Sequence, residues 1–351
     1  MVNKSPRELV LVPSTWSIPQ IMQALEAALI GSGPALAFAP SKFSRVPADI
    51  AVVIPTSGST GNPKEVALSA QALRASVRAS HAYLGATRGQ RWSLQLPTNH
   101  IAGVNVLVRA IELGSDIADA DYEYTSIVPT QLYRALQERG EELLALQNAR
   151  AVLVGGAATS PDLLNSAREA GVHVVTTYGM SEMSGGCIYN NTPLEGVEVE
   201  IRESDRIALR GPMQANEYLG SDKALSDSDG WFLTSDAGYI ENGKIYVQGR
   251  VDDQIISGGE KISLSAIDGY LNSDPAIEFM SCAIESSEWG QQLCLASSVD
   301  FDQMKISDAL RAKFGNHCVP KLFLHNIPLP RTSIGKPDRA TLSKRFEMIT
   351  R

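Results

Sequence analysis

The 351 residues predict an α/β core, then a β-rich segment, then a small α+β domain. Three observations predict it. Short apolar runs, AVVIP at 51–55, AVLVG at 151–155 and VHVVTTY at 172–178, have the length and composition of buried strands. Helical patterns lie between them, and strand–helix alternation favours parallel pairing. From about residue 197 the runs shorten and turn signals crowd in, so the expected organisation is 1–196 core, 197–250 β-rich subdomain and 251–351 C-terminal domain.

Within the core, Ser69 to Leu84 carries Leu73, Val77 and Leu84 on one helical face. Pro129 to Leu146 is Leu-rich, with Gly140 as a breaker. Ser160-Pro161 offers an N-cap and a first-turn proline, and Gly171 closes that helix. VEVEI, RIAL, GWFLTSDAGYI and KIYVQGR read as strands, with tight connections at Asp229-Gly230 and Gly243-Lys244. The C-terminal part reads as a helix near 263–272, strands near 279–285 and 293–299, and a helix near 306–314.

The balance of 31 Lys+Arg against 39 Asp+Glu gives a net charge of −8, which argues against nucleic acid as a partner. An anionic substrate must then be held by local cations, backbone N–H groups or a metal. The four cysteines, Cys187, Cys282, Cys294 and Cys318, are far apart with no CxxC, so reduced core thiols are expected rather than a zinc site or disulfides. The N-terminal stretch is charged and proline-containing, unlike a signal peptide, and no run approaches the ~20 apolar residues that span a bilayer. A soluble cytoplasmic protein is the expectation.

The chemistry-bearing segment is Thr56-Ser57-Gly58-Ser59-Thr60-Gly61-Asn62-Pro63-Lys64, directly after a strand. Glycines admit close backbone approach, successive N–H groups can enclose an anion, and the hydroxyls and Lys64 add donors for phosphate. A flexible surface loop is the bland reading of such composition. A Walker-type loop fails, because Pro63 precedes Lys64 and Glu65 stands where Ser or Thr should bind Mg²⁺.

This segment resembles the phosphate-binding signature of the acyl-adenylate-forming superfamily, whose usual glycine after the lysine is here Glu65. Four further segments match in order: Tyr178-Gly179-Met180-Ser181-Glu182, Trp231 to Asp236, Gly249 to Ile262, and Pro330 to Arg339. The resemblance implies a luciferase-like large domain, truncated at its N-terminal part, with a small mobile C-terminal domain. It implies ATP and Mg²⁺ as cofactors and coenzyme A as co-substrate. By the same resemblance Ser57, Gly58, Ser59, Thr60, Gly61 and Lys64 cradle phosphates, and Gly155, Gly156 and Ala157 line adenine. Tyr178 stacks near the base with Gly179 and Met180, and Ser181 meets the α-phosphate. Glu182 helps hold Mg²⁺, a suitable role for a hard oxygen ligand. Asp236 and Arg250 take the ribose, and the Ser235 that replaces a family glycine bears on a turn there. Asp252 is the hinge, and the Gly258-Gly259 turn serves the coenzyme A step. Lys336 neutralises charge during adenylation, so Lys336, Thr60, Glu182 and Lys64 are the expected catalytic set.

The segment Thr125 to Leu132, the run from Thr177 to Val197 and Pro97 to Gly103 resemble the o-succinylbenzoate–CoA ligases of menaquinone synthesis, in their short actinobacterial form. That resemblance places His100, Ser184, Gly185 and Gly186 at the acyl pocket, where glycines leave room for a flat ring. Expected partners are an aromatic acid, ATP and coenzyme A, with a homodimer as candidate assembly. Rival readings are a ligase for another aromatic acid, an enzyme loading a carrier protein, and a non-catalytic nucleotide-binding homologue.

Overall fold

The computed structural model describes residues 5–56, 64–272, 277–331 and 337–350, the side chain of Asp252 excepted. The roles expected of Ser57, Gly58, Ser59, Thr60, Gly61 and Lys336, and the hinge role of the Asp252 side chain, therefore lie outside the described residues. The chain forms two compact units: Met1–Arg202 with Ile207–Thr234 and Ile240–Tyr246, and Glu203–Arg206 with Ser235–Tyr239 and Val247–Arg351.

The first unit holds two six-stranded sheets. One is ordered Glu217–Tyr218, Lys64–Ser69, Ile50–Thr56, Ala35–Ala37, Arg7–Leu11, Arg45–Val46. The other is ordered Thr192–Pro193, Gly185–Tyr189, Val174–Met180, Ala151–Val154, Tyr124–Ile127, Trp92–Ser93. The four strands from Trp92–Ser93 to Val174–Met180 run parallel, and Gly185–Tyr189 then folds back antiparallel. AVVIP and AVLVG form strands, and the third run, predicted through Tyr178, continues through Met180, so Gly179 also lies in the strand.

Helix Ala70–Leu84 starts at Ser69, whose hydroxyl accepts from the Ala72 N–H at 3.2 Å. The Leu-rich stretch divides at Gly140 into Pro129–Glu138 and Glu141–Asn148. Helix Ile101–Leu113 is buried almost all round because both sheets use it. Val104, Leu107 and Val108 join the core of the first sheet, and Val106 and Leu113 that of the second. Burial of this kind contributes roughly 1.5–3 kcal/mol per large side chain.

Buried His81, on helix Ala70–Leu84, faces Trp92, and burial with nearby Arg109 pushes its pKa down to about 4. It is neutral in the fold but titrates near 6.5 when unfolded. The unfolded chain then binds the extra proton first, so stability is full above about pH 6.5 and falls as pH drops toward 4. The loss should approach about 3 kcal/mol. Urea unfolding of His81→Leu between pH 7.5 and 4.5 should show a shallower decline than wild type; parallel declines would contradict this.

A four-stranded sheet of Glu198–Arg202, Arg206–Arg210, Phe232–Glu241 and Lys244–Arg250 follows, with residues in both units. Ser235 and Asp236 are inside its long strand, as the run GWFLTSDAGYI predicts, and not at the turn the resemblance implies.

In the second unit, Phe279–Ser286 at the edge of a five-stranded sheet pairs antiparallel with Gly290–Ser297, which also pairs with Gln254–Ser257 and Leu322–Leu324. Helices Leu264–Leu271 and Gln303–Phe314 pack with Phe279 and Leu295, while Met280, Cys282 and Ile284 pack with Leu342 and Phe346 of helix Arg339–Thr350. All four cysteines are free and buried, as the sequence predicts. No helix among the described residues is long and apolar enough to cross a membrane.

Candidate active site

Strands Ile50–Thr56 and Lys64–Ser69 are antiparallel neighbours, and Thr56 is paired with Lys64. The hydroxyl-rich segment is therefore closed at its base, where the Thr56 hydroxyl donates to the Lys64 carbonyl at 3.4 Å. Lys64 is exposed, with its Nζ 4.6 Å from the centre of the Tyr218 ring. That distance is within cation–π range.

Glu182 sits in the short turn of helix Ser181–Met183, between the strands ending at Met180 and starting at Gly185. The two strands approach without room for side chains at one point. A Cβ on Gly179 would lie 2.0 Å from the Gly185 carbonyl oxygen. Tyr178, Ser181 and Glu182 are half-buried here.

Tyr218 joins these two sequence motifs, and sequence reasoning missed it. Its hydroxyl donates to Glu182 Oε1 at 2.8 Å while its ring lies beneath Lys64. Burial, then the adjacent Glu182 charge, raise its pKa well above the usual phenol value, so it remains a donor. The segment is pinned on both sides: the Ala215 N–H donates to the Glu182 carbonyl at 2.8 Å and the Leu219 N–H to the Glu65 carbonyl at 2.8 Å. Its signal in sequence is one aromatic residue in ANEYLG, too little to identify.

Among the described residues no three His, Cys, Asp or Glu side chains cluster as a metal cage. Glu182 has one oxygen engaged by Tyr218, leaving the other for a ligand. A single carboxylate oxygen suits Mg²⁺, which keeps waters and takes most protein-side ligation from one or two carboxylates plus substrate phosphates.

The residues expected at the acyl pocket come together in part. Exposed His100 caps helix Ile101–Leu113 at its N-terminus, with its carbonyl accepting from the Gly103 and Val104 N–H groups. One turn into the helix, Asn105 Nδ2 donates to the Ser184 carbonyl at 2.6 Å, and Ser76 donates to the same oxygen at 3.0 Å. Gly185 has φ +99°, and a Cβ there would meet Asn105 Nδ2 at 2.3 Å. Behind Gly186 stands Tyr189, whose hydroxyl accepts from Arg109 at 2.9 Å.

Arg109 is the second residue the sequence did not reveal. It is 3% exposed, donates to the Tyr189 and Ser126 hydroxyls and lies over the Trp92 ring face. Its Nε has no partner among the described residues.

Gly155, Gly156 and Ala157 follow strand Ala151–Val154, and the Gly155 N–H donates to the Ile127 carbonyl at 3.2 Å. In the second unit, Asp236 and Arg250 are half-buried in the strands Phe232–Glu241 and Lys244–Arg250. The Gly258-Gly259 turn packs on Trp289, whose carbonyl accepts from the Gly258 N–H at 2.9 Å; Lys321 Nζ lies 4.4 Å from that ring's centre.

A family model described as "AMP-binding enzyme" matches residues 10–209. A protein of Mycobacterium tuberculosis described as "Probable 2-succinylbenzoate--CoA ligase" is 35% identical over 95% of this chain and 97% of its own length. The chain belongs to the AMP-binding enzyme family. Another family relative, the 2-succinylbenzoate–CoA ligase of Lactococcus lactis, is 30% identical over 84% of this chain and 70% of its own. The fold is that of o-succinylbenzoate CoA synthetase from Bacillus subtilis in complex with the acyl-adenylate intermediate OSB-AMP: TM-score 0.77, 24% identity, covering 95% of this chain and 82% of that one. It is also that of an amide bond synthetase from Marinactinospora thermotolerans, at TM-score 0.73 and 22% identity over 90% and 76% of the two chains. Fold alone thus spans more than one reaction, and the side chains must decide between them.

Proposed function

We propose that this AMP-binding enzyme is a 2-succinylbenzoate–CoA ligase. The observation that carries the reading is the convergence of Lys64 and Glu182 on Tyr218 at the base of the phosphate loop. The similarity to the mycobacterial relative along nearly both full lengths supports the same substrate.

The substrate carboxylate attacks the α-phosphorus of ATP, and the bond to the pyrophosphate leaving group breaks. Coenzyme A thiolate then attacks the acyl-adenylate carbonyl, and AMP leaves. Lys64, with the loop from Thr56 to Gly61 including Thr60, holds phosphate oxygens. Ser181 binds at the α-phosphate, and Tyr178 with Gly179, Met180 and Gly155–Ala157 flanks adenine. Asp236 and Arg250 hold the ribose hydroxyls. Glu182 would hold Mg²⁺, which when bound with ATP neutralises charge on its phosphates; the Bacillus subtilis protein of this fold was solved with ATP and magnesium ion. Lys336 stabilises charge developing in adenylation. Residues 251–351 rotate about Asp252, and the Gly258-Gly259 turn then guides the thiol. Both steps depend on positioning and preorganised charge. A cytoplasmic site of action, where ATP and coenzyme A are available, is part of the proposal.

His100 and Ser184–Gly186 bound the aromatic acid, and Arg109 supplies the cation for its second carboxylate. A planar fork matches a carboxylate better than an ammonium does. Purified protein with MgATP, coenzyme A and 2-succinylbenzoate should yield the acyl-CoA, detected by mass, only when all components are present. Wild type should favour 2-succinylbenzoate over 4-oxo-4-phenylbutanoate, which keeps the succinyl carboxylate for adenylation and lacks the ring carboxylate, by about 100-fold in kcat/KM, and Arg109→Lys should compress the ratio about tenfold. An unchanged ratio would remove Arg109 from recognition. Pyrophosphate release with another aryl acid alone would keep the adenylation and discard the substrate. ATP binding without pyrophosphate release for any acid would favour a non-catalytic binder.

A further inference from the structure

The nucleotide reading makes Lys64 a phosphate cation and Glu182 a magnesium ligand, and it leaves Tyr218 without a task. Both charges are nevertheless held by this one side chain, the ammonium over its ring at 4.6 Å and the carboxylate on its hydroxyl at 2.8 Å. Opposite charges free to come into contact attract strongly at a surface-like dielectric. Left unseparated, Lys64 and Glu182 would neutralise each other, and neither would be available to a nucleotide or a metal.

We propose that Tyr218 is a positioning residue that separates Lys64 from Glu182 and presents each to its own ligand. The inference rests on the nucleotide reading above. The ring face satisfies the ammonium through its quadrupole, which attracts a cation without cancelling its charge. The hydroxyl satisfies one carboxylate oxygen through a charge-assisted hydrogen bond and leaves the second oxygen free. Rigidity comes from the backbone. Tyr218 is paired with Val66 in the sheet, two residues from Lys64, and Ala215 is tied to the Glu182 carbonyl. The spacer is therefore fixed to both of the elements it holds apart.

Two substitutions divide the roles. Tyr218→Phe keeps the ring under Lys64 and removes the bond to Glu182. Tyr218→Leu removes both. The full-length chain is assayed with a fluorescent ATP analogue without metal, and then with Mn²⁺ titrated at fixed ATP, free Mn²⁺ being followed by electron paramagnetic resonance. For Tyr218→Phe, nucleotide affinity without metal should stay within about twofold of wild type, while the Mn²⁺ midpoint rises about tenfold, the effect of one lost hydrogen bond to a charged group. For Tyr218→Leu, affinity without metal should also fall. Adding Glu182→Gln should then raise metal-free affinity several-fold more in the Tyr218→Leu background than in wild type, because it releases Lys64 from an ion pair present only there.

A purely structural Tyr218 would not produce this split. It would lower both affinities together, and Glu182→Gln would give equal gains in the two backgrounds. Either result overturns the inference, as does an unshifted Mn²⁺ midpoint in Tyr218→Phe. Tyr218→Phe carries the test alone if Tyr218→Leu does not fold. Wild-type protein that binds no ATP overturns the nucleotide reading and this inference with it; wild-type binding with an unshifted Tyr218→Phe overturns this inference alone.

Discussion

Lys336→Ala is expected to reduce pyrophosphate release by roughly 10²–10³-fold, the scale of losing one preorganised group that meets developing charge. Thioester formation from supplied acyl-adenylate should change by less than about threefold, because that step no longer develops charge on a departing pyrophosphate. The described residues on either side of Lys336 are anchored within the second unit. Arg331 and Pro337 form an antiparallel bridge, and the Asp338 N–H donates to the Pro330 carbonyl at 2.9 Å. Asp338 then accepts from the Thr341 N–H at 3.0 Å and the Thr341 hydroxyl at 2.8 Å. Arg339 donates to Asp268 Oδ2 at 2.5 Å and to the Ser281 carbonyl at 2.7 Å, and its Nε lies 3.4 Å from Asp253 Oδ1. A side-chain deletion at 336 should leave these anchors intact, so the two half-reactions can be measured on a folded enzyme. Equal loss in both would end the assignment of Lys336 to adenylation.

Gly179→Ala should lower the thermal midpoint by several degrees and abolish detectable ATP binding. The new methyl would stand 2.0 Å from a backbone carbonyl oxygen of the neighbouring strand, which no rotamer change relieves. Relief requires opening the pair Val174–Met180 and Gly185–Tyr189, the two strands that set Tyr178, Glu182 and the Ser184–Gly186 wall. Overpacking of this kind costs about 1–3 kcal/mol, occasionally more. Gly171→Ala is the control. Its φ is +83°, so it carries left-handed strain, but nothing lies within 4 Å of the added carbon. It should lose about 1–2 kcal/mol and keep full nucleotide affinity. Calorimetry and a fluorescent-nucleotide titration on both variants decide the point, and wild-type behaviour of Gly179→Ala would contradict the clash.

Elements with a strong local signal were legible from the residues. Ser69 and Ser160 cap their helices through their own hydroxyls, and the apolar runs at 51 and 151 become buried strands. Helix Ile101–Leu113 was not, because a helix buried almost all round has no narrow apolar stripe to betray its period. The order of the motifs gave Lys64 and Glu182, yet their meeting through Tyr218 depends on a two-residue strand, Glu217–Tyr218, with no pattern of its own. Arg109 was hidden for the opposite reason. A charged residue is ordinarily read as surface, and only its burial beside Trp92 and Tyr189 makes it noteworthy.

Helix Ile101–Leu113 has a bearing on how this enzyme could acquire new substrates. The helix that carries Asn105 and Arg109 is also shared by the two apolar cores of the first unit. A mutation at Arg109 that reshapes the proposed berth of the acid is thereby a mutation in the keystone of the first unit. Changes of specificity and losses of solidity should arrive together in any evolving lineage. Directed evolution toward other aryl acids will go further from a parent first made sturdier elsewhere, with substitutions at Asn105 and Arg109 introduced only afterwards.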